Sequence, residues 1–157
     1  KIATGKIGMI LISIIMLIFS WYMVKDKLDD TFVDETAYPV KACDFILENI
    51  DLGEARFYNE YNYGSYMLFR GIPVFIDSRA DLYSPEFSGK ADDIFMDFIN
   101  TSGIGTFYQD TFDKYGITHI ITYKNSKMNM IIQKTHDAKC KELYSDKYFV
   151  IYQYESE

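Results

Sequence analysis

The sequence predicts an α/β protein: an N-terminal transmembrane helix, then a three-layer α/β/α domain with a mostly parallel sheet and a C-terminal antiparallel hairpin. Three observations carry that expectation. Eighteen consecutive residues, Ile7 to Val24, bear no charge between Lys6 and Lys25. Beyond them, short β-branched or ring-rich runs alternate with apolar stripes at helical spacing, the pattern of a sheet covered by helices. The last two runs flank Ser145-Asp146, a candidate two-residue hairpin turn.

The apolar run comes first. A bilayer is crossed by roughly 17–25 apolar residues, and this run has that length. Only Gly8, Ser13 and Ser20 interrupt its Ile, Leu, Met and Phe residues, so it lacks the polar face of a globular helix. Trp21 and Tyr22 sit where an interfacial aromatic belt belongs, and Lys6 and Lys25 can snorkel to the two surfaces. A cleaved signal peptide would need a small-x-small site, and none follows Trp21. Two lysines flank each side, Lys1 and Lys6 against Lys25 and Lys27, so charge bias alone leaves the orientation open. The predicted organisation is a transmembrane helix over 1–24, a charged linker over 25–37 and a soluble domain over 38–157. Because it begins with Lys1, the chain is expected to be part of a longer protein.

In the domain, Pro39 suits a helix start. Val40, Cys43, Ile46, Leu47 and Ile50 then give a stripe, and Gly53 a stop, so a helix is expected over 39–50. Arg56-Phe57-Tyr58 reads as a short strand, and Gly64 to Arg70 as a short helix or turn. Ile72 to Ile76 is apolar on both faces, as a central parallel strand would be. Phe87, Ala91, Ile94, Phe95, Phe98 and Ile99 form another helical stripe, ended by Thr101-Ser102-Gly103. A further helix spans Phe107 to Tyr115 before Gly116. Thr118 to Tyr123 is the clearest strand. Met128, Ile131, Ile132 and Thr135 mark the last helix, and Lys141–Tyr144 with Lys147–Tyr154 the closing hairpin.

Composition excludes several functions. All 23 acidic residues lie beyond Val24, against 14 of the 16 basic ones, so nucleic acid is not an expected partner and a polybasic lipid anchor is absent. Cys43 and Cys140 are read as ordinary buried thiols, with one bridge as the alternative in an oxidising space. His119 and His136 are isolated, and no phosphate-binding glycine loop, metal motif or cofactor site is read; Gly103-Ile104-Gly105 lacks the third glycine. Met128 and Met130 read as filler. Asn100-Thr101-Ser102 matches a glycosylation acceptor that matters only on a eukaryotic secretory route.

Two segments stand out. Asn59 to Tyr66 follows the first strand, and Asp77 to Tyr83 follows the second, where open α/β sheets place ligand sites. Parallel strands would bring Asp77, Arg79 and Asp81 together with Glu60 and Tyr61. Carboxylates accept from sugar hydroxyls and Arg offers a fixed fork to phosphate. Tyr61 and Tyr63 are candidate sugar-stacking rings. The competing reading is structural: Arg79 ties one loop by pairing with Asp77 or Asp81, and Asp77 closes a turn on its own backbone. No catalytic residue is assigned.

The two segments, read as Asn59, Tyr61, Tyr63, Gly64, Tyr66 and then Val74 to Asp77, Arg79, Ala80, Asp81, Tyr83, resemble the C-terminal soluble domain of bacterial multi-spanning GT-C type glycosyltransferases, similar to the protein mannosyltransferase group. The resemblance covers the membrane helix and nearly all of the soluble part. The chain departs from it at Tyr63, Ser65 and Ser78, where Trp, Gly and Gly are usual. It implies a cell-membrane protein with an extracytoplasmic domain after many membrane helices, and a polyprenyl-phosphate sugar as donor. The catalytic acid of that family lies in an early loop outside this chain, so none is carried over. The implied partners are the bilayer, upstream helices of the same protein and the lipid-linked sugar. The alternatives are a tethered, non-enzymatic binding domain and, with no nucleophile–base pair to name, an autonomous hydrolase.

Overall fold

The computed structural model describes residues 2–25 and 33–156. They fall into two compact units, divided between Asp34 and Glu35. The first is helix α1 (Ile2–Val24). Its stretch Gly5–Val24 is long and apolar enough to cross a bilayer, and none of it is buried against protein. Residues 26–32 of the expected linker lie outside the described residues. Its end belongs to the second unit, for Tyr123 donates its hydroxyl to Ala37 O at 3.0 Å and Lys41 pairs with Glu35 at 2.7 Å.

The second unit is a mixed α/β domain. Its elements are α2 (Val40–Asn49), β1 (Phe57–Tyr58), α3 (Tyr61–Phe69), a 3-10 turn (Ala80–Tyr83), α4 (Pro85–Ser88), α5 (Ile94–Ser102), α6 (Tyr108–Tyr115), β2 (His119–Tyr123), α7 (Lys127–Thr135), β3 (Cys140–Ser145) and β4 (Phe149–Tyr154). Local chemistry explains the boundaries. Asp93 caps α5 by accepting from Met96 N, and Ser126 caps α7 by accepting from Asn129 N. Gly116, left-handed at φ 61°, ends α6 where a side chain would strain the backbone.

The sheet has the order β1-β2-β4-β3. Only β1 and β2 run parallel, pairing Phe57 with His119 and Tyr58 with Ile120. The other two pairings are antiparallel, β2 with β4 and β4 with β3, the latter with an irregularity between Glu142 and Tyr144. The expected mostly parallel, three-layer arrangement is therefore not supported. The cause is the segment 72–76. Its Ile72, Phe75 and Ile76 are buried, but it takes no place in the sheet: Pro73 lacks a donor, and the Asn59 side chain satisfies the neighbouring backbone in place of a ladder. The hairpin forms as expected, but its turn holds three residues. Asp146 Oδ1 accepts from Tyr148 N and Phe149 N at 2.7 and 2.8 Å and closes it.

Alternation along the strands divides the core. Tyr58, Ile120, Val150 and Tyr152 pack with Phe98, Phe112, Met128 and Ile132. Phe57, Ile121, Phe149 and Ile151 pack with Ala42, Cys43, Ile46, Tyr63 and Met67. Cys43 and Cys140 belong to different clusters and are both free thiols, each pushed up to about 12 by burial. The tripeptide at Asn100 lies in α5 with Thr101 buried and its hydroxyl engaged by Asp97 O and Thr111.

Candidate functional site

The two singled-out segments do meet, through the first turns of α3 rather than through adjacent strands. Asn59, fully buried, is the clamp. Its Nδ2 donates to Ile76 O at 2.8 Å and its Oδ1 accepts from Phe75 N at 2.8 Å. Gly64 makes the approach possible: a Cβ there would stand 2.0 Å from Ile76 O and 2.9 Å from Asp77 Cα. Two exposed contacts extend the seam. Tyr61 donates its hydroxyl to Ser78 O at 2.9 Å, and Ser65 Oγ lies 2.8 Å from Ser78 Oγ.

Asp77 sits at the end of this seam with no exposed surface. Its carboxylate accepts from Arg79 N at 2.8 Å, from Arg79 Nε at 3.0 and 3.2 Å and from Nη2 at 2.6 Å. The Arg79 guanidinium holds the carboxyl below the usual range. Tyr83 is pushed up to about 12, first by burial and then by Asp77. Arg79 is 61% exposed, so one face of a guanidinium fixed by its fork looks outward. The pairing is the structural tie expected for this loop, and it also displays the cation.

Of the other named residues, Tyr61 reaches this loop through Ser78 O, while Glu60 and Tyr63 turn elsewhere. Asp81 is exposed on the 3-10 turn, with its backbone carbonyl accepting from Ser84 Oγ. Glu60 turns toward β2, where its Oε1 accepts from Thr122 Oγ1 at 2.6 Å and from Tyr123 N at 3.5 Å. Burial raises its pKa against the opposing pull of those hydrogen bonds. Tyr63 is fully buried, donates to Ile121 O at 2.7 Å and meets Tyr123 and Phe149 edge-on, so its ring offers no face to a sugar. Tyr61 is half-buried, edge-on to Phe95.

Sequence reasoning gave no role to Asn59, whose position directly after a strand and ahead of a helix was the available signal. Among the described residues, no group of three or more His, Cys, Asp or Glu side chains is arranged to hold a metal ion. No family model matches the chain, and neither does any curated protein or solved structure.

Proposed function

We propose that this chain is the C-terminal portion of a multi-spanning, glycosyltransferase-like membrane protein, whose domain helps to bind a polyprenyl-phosphate sugar or its acceptor. The observation that carries the reading is the Arg79 guanidinium, locked by a buried carboxylate yet exposed, in a chain that also holds a membrane-length apolar helix. A fixed guanidinium suits phosphate because less side-chain freedom is lost on each hydrogen bond formed. The domain acts outside the cytoplasm, as the resemblance implies, and contributes recognition while the transfer chemistry lies elsewhere in the parent protein.

A tethered binding domain without enzymatic partners is the second reading. It shares the same geometry, for the full engagement of Asp77 leaves that carboxylate no role in proton transfer. Both readings need Arg79 for an anionic ligand. Titrating the full chain in neutral micelles with a short-chain polyprenyl phosphate should give saturable binding that Arg79→Ala weakens about tenfold with an unchanged circular dichroism spectrum. Equal affinity in the folded variant would remove Arg79 from the site. In the parent protein the same variant should slow sugar transfer; unchanged transfer with weakened binding would favour the tethered module.

A further inference from the structure

A concavity built from residues other than Arg79 lies at the carboxyl ends of the parallel pair β1 and β2. It is a half-open groove of about 560 Å³ lined by residues that include Asn62, Tyr123, Lys124, Asn125, Lys147 and Tyr148. That volume falls in the roughly 300–1,000 Å³ range of small-molecule sites. Its place follows from the topology. The chain leaving β1 supplies Asn62, the chain leaving β2 supplies Lys124 and Asn125, and the β3–β4 turn supplies Lys147 and Tyr148. Loops after parallel strands open on one sheet edge, the usual position of ligands in open α/β sheets.

The lining chemistry is selective. In a protein of net charge -7, the groove carries two lysines and no carboxylate among the described residues that line it. The nearest acid on the turn, Asp146, spends its carboxylate on Tyr144 Oη and on two backbone amides. Lys124 Nζ donates to Asp146 O at 2.8 Å, which fixes the ammonium at the rim with further donors to spare. Lys147 Nζ rests 5.0 Å from the centre of the Tyr148 ring. Asn62 and Asn125 are both exposed, and neither carboxamide is hydrogen-bonded within the described residues. Carboxamides present a donor and an acceptor side by side, the pattern that adjacent sugar hydroxyls complement. Glu60, by holding Thr122 and Tyr123 from behind, positions the strand end that carries Lys124 and Asn125.

We infer that this groove binds a phosphorylated sugar, the phosphate between Lys124 and Lys147 and the hydroxyls on Asn62 and Asn125. The inference stands on residues distinct from Arg79 and does not rest on the transferase reading.

The test is a titration of the full chain, isotope-labelled in neutral micelles, with glucose 1-phosphate, glucose and inorganic phosphate in turn. Glucose 1-phosphate should give saturable amide shifts at Tyr123–Asn125 and Lys147–Tyr148 that weaken as salt is raised. Glucose or phosphate alone should bind at least tenfold more weakly. Lys124 also supports the turn, so Lys147→Gln is read beside Lys124→Gln/Lys147→Gln; each should reduce affinity about tenfold or more. Polyprenyl-phosphate glucose acting on the same amides at lower concentration would identify a lipid-linked source, and acting more weakly, a free one. Absence of saturable shifts, phosphate binding as tightly as the sugar phosphate, or a folded Lys147→Gln variant with unaltered affinity would each overturn the inference.

Discussion

Helix α1 and the helices of the domain are both rich in apolar side chains, yet they bury them in opposite ways. In α2 the buried residues are Ala42, Cys43 and Ile46, one stripe of a helix whose other side is charged. In α1 the apolar residues occur all round, and Leu17 on one side and Ile12 on another are 70% and 60% exposed. A one-sided stripe is satisfied by protein. An all-round apolar helix needs a solvent that is itself apolar. The lesson is that periodicity, more than hydrophobicity, distinguishes a helix that folds into a core from one long and apolar enough to span a bilayer.

That contrast can be broken most strongly from the membrane side. Two central charges, Leu11→Lys with Ile15→Lys, should cost about 6 kcal/mol of insertion on scales that assign roughly 3 kcal/mol per central lysine. The doubly substituted chain should lose membrane association while its domain keeps its near-ultraviolet circular dichroism. Loss of the domain signal as well would mean that α1 is part of the core. The domain's own weak point is the seam at Gly64. Gly64→Ala forces a methyl onto Ile76 O and should lower stability by about 3 kcal/mol, an overpacking cost, measured by urea denaturation. A change below 0.5 kcal/mol, roughly the surface-substitution range, would refute the close packing.

A smaller and opposite effect is expected at Tyr58. Its hydroxyl is the only buried side-chain polar atom among the described residues without a hydrogen-bond partner. Tyr58→Phe keeps the contacts with Phe75, Phe98 and Phe112 and should stabilise the domain by about 1 kcal/mol, the lower end of the cost of an unsatisfied group. A loss of stability would reveal a partner for that hydroxyl.

The smallest effect is a pH dependence at Glu60. Its folded pKa lies above the unfolded value because of burial, so the folded state holds the proton more tightly. Its contribution to stability is then largest below the ordinary glutamate range and falls as pH rises through the raised value. Glu60→Gln, which keeps an acceptor for Thr122, should be more stable than the parent chain at pH 7, with the advantage vanishing near pH 4. An advantage that grew toward acid would reverse the assigned sign.

Much of this was legible in the sequence, and the exceptions share a cause. The stripe of α2, the strand Thr118–Tyr123, the helix closed by Gly116 and the final hairpin all follow from local pattern. Ile72–Ile76 did not, because an apolar run reads the same whether its backbone is satisfied by a neighbouring strand or by one buried carboxamide. That carboxamide, Asn59, comes from a different part of the chain. The same gap explains the site. The pairing of Asp77 with Arg79 is local and was readable at a spacing of two residues. The inward turn of Tyr63 depends on Tyr123 and Phe149, and the groove assembles three segments that share no sequence motif.

The function proposed for the domain depends on lipid solvating α1. Membranes carrying the full chain, washed in alkaline carbonate and sedimented, test it most directly. A lipid-solvated α1 keeps the chain in the pellet, to be released only by detergent. Recovery of a folded, monodisperse chain in the aqueous supernatant would contradict it.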